Sequence, residues 1–270
     1  LDLRLRFLCY QVFKAVQAME RHVVIGELSA RTIFVTDGAW CRVLPTICSP
    51  EKPLTRETPT RRWVDGSLST FEYLLLLNRA SGRSTALTND HYVFPWVSDL
   101  TVKHGGWRDL SKTKFRLAKG DEMLDRTYAA SKHHVTEPGL SDLALCIYLA
   151  RRAPVAVLQR VVRATFVPEH YPATMERLYA WSPDEAIPEF YCDPSVFASR
   201  NGLPDLRVPP WCADAQDFVC YHRSLLEAPE VNANIHKWID LNFGCSVSGP
   251  HAARERNCPL VERSDAYRGM

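Results

Sequence analysis

The chain has 270 residues, 46% of them hydrophobic, and its 33 basic and 31 acidic side chains leave a formal charge of +2. That is enough apolar material for a sizeable core, while the balanced charge offers no overall field to recruit nucleic acid or an anionic membrane. Nine cysteines, an odd number with no Cys-x-x-Cys pair, argue against a disulfide scaffold or an ordinary zinc module and point to a reducing, cytosolic setting. The longest uninterrupted apolar run, Leu143 to Ala150, is far shorter than the roughly 20 residues that cross a bilayer, so any membrane association is expected to be peripheral.

Leu5, Leu8, Val12, Val16 and Met19 recur at steps of three and four and predict an amphipathic helix over residues 5 to 19. Thr32 to Val35, the turn Thr36-Asp37-Gly38 and Cys41 to Leu44 then read as a short hairpin. Between them, Val24 to Val35 resembles the catalytic-loop region of a protein kinase, whose working form reads His-Arg-Asp-Leu-x-x-x-Asn. The matching positions here are Ile25, Gly26, Glu27 and Thr32, so the base sits on a longer arm and the metal-binding amide is replaced by a hydroxyl. Pro45-Thr46-Ile47 stands where Asp-Phe-Gly would hold a metal ion, which leaves phosphoryl transfer without charge neutralisation. Residues 1–44 are therefore expected to be a degenerate kinase-like C-lobe fragment kept for its packing faces. Residues 45–62, broken by prolines and charges, read as a linker.

The body is expected to run over 63–258, followed by a short truncated tail at 259–270. Asp65-Gly66 is a turn signal, and Ser69 or Thr70 caps a helix from Phe71 to Asn78 that closes at Gly82-Arg83-Ser84. Tyr92-Val93-Phe94-Pro95-Trp96 follows, and because proline holds its predecessor extended, this is predicted to be a rigid aromatic wedge. Ser141 or Asp142 caps a helix through Leu149, and Pro154 opens another through Val162. Further helices are predicted over Pro172 to Trp181, Asp193-Pro194 to Arg200, Asp214 to Glu227, and Asn232 to Phe243 with Gly244 as its stop. Residues 85 to 120 and 201 to 213 are too long for ordinary connections and too rich in Trp, Phe and Pro for solvated linkers, so they are expected to be packed irregular backbone.

Five of these segments, in this order, resemble the BEACH domain family. They are Ser69-Thr70-Phe71-Glu72-Tyr73-Leu74 with Leu77-Asn78, Gly82-Arg83-Ser84 and Tyr92 to Trp96; Arg108-Asp109-Leu110-Ser111-Lys112; Ile187-Pro188-Glu189-Phe190-Tyr191; Val208-Pro209-Pro210-Trp211; and His236 to Gly244. Thr70 departs from the usual asparagine, and His91-Tyr92 from Gln-Tyr-Pro. Lys114 to Asp121 and Tyr171 to Met175 are most similar to the family's WD-repeat subgroup tied to early-to-late endosome conversion. The resemblance implies a mainly α fold with a core of extended segments, and a motif core of Trp63, Phe71, Tyr73, Arg83, Phe94, Pro95, Trp96, Pro188, Phe190, Trp211, Trp238 and Asp240. It also implies a WD-repeat region elsewhere in the full-length protein. Leu1 is not a start residue and Arg268-Gly269-Met270 follows no closing element, which agrees with an excised piece of something longer.

No nucleophile, base or metal set converges in the sequence, and no cofactor is expected. Arg108-Asp109-Leu110 mimics the kinase triplet, but Lys114 occupies the place of the metal-binding asparagine, so an arginine satisfying buried backbone is the expected role. Cys212, Cys220, His222 and His236 fit no common zinc spacing and read as packing cysteines and hydrogen-bonded histidines, and His133-His134 as a surface or capping pair. Lys112, Lys114, Arg116 and Lys119 form the densest basic run, and if extended they put three cations on one side; with Arg61 and Arg62 they are the candidate patch for partners or anionic lipids. Three functions follow. The first is a non-catalytic scaffold in endosomal traffic and autophagy, on endosomal or autophagic membranes, which the resemblance connects to control of phosphatidylinositol 3-kinase signalling. The others are a phosphoinositide-binding module and a residual nucleotide-binding pseudokinase.

Overall fold

The computed structural model describes residues 8–12, 14, 33–35, 41–43, 58–85, 87, 90–100 and 102–260. The chain divides into two compact units, Leu1–Glu57 and Thr58–Met270. In the first, residues 8–12 and 14 are helical (α1), and β1 (Ile33–Val35) pairs antiparallel with β2 (Cys41–Val43), Ile33 opposite Val43 and Val35 opposite Cys41. The expected helix and hairpin stand there in part. The kinase-like positions Ile25, Gly26, Glu27, Thr32 and Pro45 to Ile47 lie outside the described residues.

In the second unit helix formation begins earlier than the linker reading allows. Thr58 caps α2 (Pro59–Val64) by accepting the Arg61 N–H, and Pro59 supplies the preset φ of a first helical position, so residues 58–62 belong to the body. α3 (Thr70–Ala80) opens with a full capping box, the Ser69 hydroxyl on the Glu72 N–H and the Glu72 carboxylate on the Ser69 N–H. Its last turn carries Asn78, wholly buried, which donates to the Val93 carbonyl at 2.9 Å and accepts the Val93 N–H at 2.8 Å. A side-chain amide thus does for the aromatic wedge what a neighbouring strand would do, leaving no orphan backbone group there.

The wedge itself is extended. Phe94 exchanges both backbone hydrogen bonds with Ala186, at 2.8 and 2.7 Å, and Ser98 bridges Trp107. These bridges, with that of Thr174 to Arg207, are the extended interior that the family resemblance implies. Helices surround it: α4 (Lys114–Lys119), α5 (Asp121–Ser131), α6 (Asp142–Tyr148), α7 (Val155–Val161), α8 (Met175–Trp181), α9 (Glu189–Cys192), α10 (Ala215–Leu226), α11 (Pro229–Asn242) and α12 (Gly249–Arg254). No helix among the described residues is long and apolar enough to cross a membrane.

Several boundaries move, each for a local reason. α8 waits for Thr174, whose hydroxyl accepts the Arg177 N–H; the expected helix after Asp193 is only a 3-10 turn, Pro194–Phe197; and α11 starts at Pro229, three residues before the predicted Asn232. α11 ends at Asn242 with Phe243 as its cap, and Gly244 follows where a Cβ would sit 2.5 Å from an Asp240 carboxylate oxygen and 2.8 Å from its Cα, so only glycine fits the close approach. Inside the stretch read as irregular, Thr113 closes the first turn of α4 and Gly120, at φ 81°, turns the chain directly into α5.

Candidate interaction surface

The basic run does not form the extended stripe that alternation suggested. From Lys114 on it is α4, and although Lys114 and Arg116 point to different sides of that helix, both are covered by other segments and are 7% and 8% exposed. The Lys114 ammonium donates to the Tyr179 carbonyl at 2.7 Å and to the Ser182 carbonyl, and lies 4.5 Å from the centre of the Tyr179 ring. Burial pulls its pKa down to about 8, with the Glu185 carboxylate opposing. Arg116 grips Asp121 through Nε and Nη2, at 2.7 and 3.0 Å, and holds that exposed carboxyl down at about 2. Lys112 pairs with Asp109 at 3.7 Å. Arg61, Arg62 and Lys119 remain on the surface with the paired Lys112, so the six-cation patch is corrected to four surface side chains, one of them neutralised by Asp109.

The motif residues converge on packing. Trp96, fully buried, is ringed by Tyr148, Tyr179, Phe190 and His222 with ring centres 5.3 to 6.1 Å away, and its indole N–H donates to the Asp184 carbonyl at 3.1 Å. Phe94 meets Phe71 and Tyr191, Trp63 stacks on Tyr73, and the Pro95 carbonyl accepts the Tyr191 hydroxyl. Pro188 precedes α9, Arg83 donates to the His91 carbonyl at 3.0 Å, Trp211 packs edge-on to Tyr221, and Trp238 is buried on α11. Asp240 is exposed, against the close approach of Gly244, and its carbonyl accepts the Ser246 N–H at 3.0 Å. Arg108 does satisfy buried backbone, donating to the carbonyls of Trp96 and Lys112, and forks onto Glu185 as well.

The candidate ligand sets dissolve similarly. Cys220 and His236 are exposed, Cys212 is half-buried and His222 lies in the core, and among the described residues no group of three potential ligands gathers. His134 is buried rather than surface, stacked on Tyr128 at 4.4 Å and accepting the Cys258 N–H.

His222 stacks on Tyr191 with ring centres 4.2 Å apart, and neither of its nitrogens has a hydrogen-bond partner. Desolvation pushes its pKa down to about 3; the Phe190 main chain opposes this without reaching hydrogen-bond geometry. Between pH 3 and 6.5 the unfolded chain then holds a proton that the folded chain refuses. Stability is full above pH 6.5 and falls as pH drops, by on the order of 4 kcal/mol at the acid end. His222→Phe is expected to be acid-insensitive at this site, so chemical denaturation at pH 7 and pH 4 should show wild type losing stability relative to the variant. Parallel losses in both would refute the assignment.

One concavity stands apart from this core. Leu143 and Ile147 of α6, Val162 and Arg163 at the end of α7, Thr165, Val167, His170, Tyr171 and Trp181 line a groove of about 230 Å³. None of these was read as a binding residue in the sequence. A tryptophan in the last position of a helix, Trp181, was the available signal, and it reads equally well as core.

A family model described as Beige/BEACH domain matches residues 61–264. The chain is 47% identical over 216 residues to human WD repeat-containing protein 81, an alignment covering 73% of this chain and 11% of that protein. It is 41% identical over 224 residues to Suppressor of organelle fusion 2 of Caenorhabditis elegans, covering 82% of the chain and 16% of the relative. It is also 31% identical over 341 residues to the probable inactive serine/threonine-protein kinase lvsG of Dictyostelium discoideum, covering 95% and 16%. The chain spans less than a fifth of the length of these relatives. With the motif residues packed around one extended aromatic core and the family match running through nearly all of the second unit, the chain belongs to the BEACH domain family.

Proposed function

We propose that this chain is a non-catalytic interaction domain of endosomal membrane traffic and autophagy, and that it acts on endosomal phosphatidylinositol 3-phosphate by binding regulatory proteins. The observation that carries the reading is the fate of the motif residues. The polar motif residues Arg108 and Lys114, with Glu185 and Tyr148 beside them, are spent on one another, on the Ser182 hydroxyl or on backbone carbonyls, and His222 is enclosed among aromatic rings. The names of two relatives, one a suppressor of organelle fusion and one a probable inactive kinase, support the same direction. A peripheral position on endosomal or autophagic membranes belongs to this proposal, as does a WD-repeat region in the full-length protein. The phosphoinositide alternative has lost its main support, since Lys114 and Arg116 are engaged internally.

Affinity capture tests the proposal. The intact protein is expected to retrieve components of the endosomal phosphatidylinositol 3-kinase machinery, and a thermal melt with ATP and magnesium is expected to show no stabilisation. Retrieval of none of those proteins, or a rise in melting temperature with nucleotide, overturns it.

A further inference from the structure

The groove beside Trp181 has a size, a lining and a charge that select an occupant. At about 230 Å³ it is smaller than the roughly 300 Å³ at which small-molecule sites begin, so it has room for one bulky side chain rather than a cofactor. Its floor is Ile147, Val162 and Tyr171, and its rim is Leu143 and Trp181, 41% and 44% exposed. Scattered exposed apolar residues are ordinary, but two large ones flanking one concavity are not. The frame is preformed. Leu143 and Ile147 are one turn apart on α6, and α6 packs on α7, so little ordering is needed on binding.

The polar lining has one sign. Arg163 Nη1 lies 2.7 Å from His170 Nδ1. A guanidinium only donates, so that imidazole nitrogen accepts and the ring proton sits on Nε2, leaving both residues with donors to offer. Among the described residues no carboxylate lines the groove; Asp142 and Glu169 are near in sequence but outside it, and Arg160 is a further exposed cation on α7. The depression between Pro194 and Val208, by contrast, carries Asp205 and Arg207 together and has no charge preference.

We propose that this groove takes a large apolar side chain from a partner protein's segment in which acidic residues flank that side chain. This rests on the interaction-domain reading above and names the chemistry of the partner. The apolar side chain fills the floor and covers Trp181, and the flanking carboxylate accepts from Arg163 and from His170 Nε2. A basic flank would face a guanidinium instead, so the same contacts that attract one class of segment reject the other.

The test places a photoreactive benzoylphenylalanine at Leu143 in the intact protein in cells, with a control at exposed Met123 on α5, and maps crosslinked peptides by mass spectrometry. The expected result is crosslinks from position 143 to segments with a large apolar residue beside Asp or Glu, absent from position 123. Arg163→Glu and Trp181→Ala, both exposed positions whose folding is checked by thermal melt, should each lower the yield about tenfold or more. Crosslinks to basic segments, to lipid or to a second copy of the chain overturn the proposal, as does no crosslink above the control. If position 143 fails while affinity capture still retrieves endosomal proteins, the groove assignment falls alone; if capture fails too, the interaction-domain reading falls with it.

Discussion

Glu185→Ala is expected to destabilise the second unit by about 3–5 kcal/mol, the cost of stranding a buried charge. Both side chains of the Arg108–Glu185 pair are nearly wholly enclosed, 3% and 2% exposed, with the two bonds of the fork at 2.5 and 2.6 Å. Glu185 also accepts the Lys114 N–H at 2.9 Å, and its charge opposes the desolvation of the Lys114 ammonium. Removing it therefore leaves Arg108 without its buried carboxylate and Lys114 with Asp184 in place of Glu185 to oppose its desolvation. Pairing Glu185→Leu with Arg108→Met should recover part of the loss, because an apolar pair carries no desolvation penalty. Recovery will be incomplete, since Arg108 also ties the carbonyls of Trp96 and Lys112. Denaturant unfolding followed by tryptophan fluorescence reads this directly, as six of the seven tryptophans lie beyond residue 58. A loss below about 1 kcal/mol for Glu185→Ala would mean that water reaches the pair.

Trp96→Ala should cost a similar amount, about 3–5 kcal/mol, through the cavity it opens among four aromatic rings and the loss of one of the two donors on the Asp184 carbonyl, Tyr148 being the other. Trp96→Phe keeps most of the packing and loses the N–H, so about 1–2 kcal/mol is expected. The two effects will not add with that of Glu185→Ala, because Lys114 sits 5.9 Å from the centre of the Trp96 ring and contacts both sites. Equal melting of wild type and Trp96→Ala would show that the wedge does not organise the core.

These expectations bear on how the chain is to be read. The helix starts at Ser69 or Thr70, at Ser141 or Asp142 and at Asp214, and the extended run ending in Pro95-Trp96, were legible because each is decided by neighbours in sequence: a side-chain oxygen three residues from an N–H, or a ring that fixes φ. The family motifs were legible for a related reason. They are rows of aromatic and proline residues whose spacing reflects one interior, and the order of five of them is hard to satisfy otherwise.

The basic run misled because alternation of Lys and Arg says nothing about which side faces water. Thr113 made that stretch a helix, and Tyr179, Ser182 and Glu255, from 65 to 139 residues away, supplied carbonyls and a carboxylate that brought two of its cations inward. The groove at Trp181 was invisible for the same reason, since its walls come from α6, the end of α7, the last residue of α8 and the 3-10 turn Pro168–His170, and its charge from Arg163 beside His170.

The sequence by itself determined the family, the mainly helical class, the capped ends of several helices and the extended aromatic wedge, all of which depend on short-range geometry or on motif order. Only the tertiary structure decided which cations are buried, that Asn78 serves as a strand for Val93, that His222 is held neutral in the core, and where the surface is concave. Those properties depend on desolvation and on partners distant in the chain, and neither is carried by the spacing of residues along it.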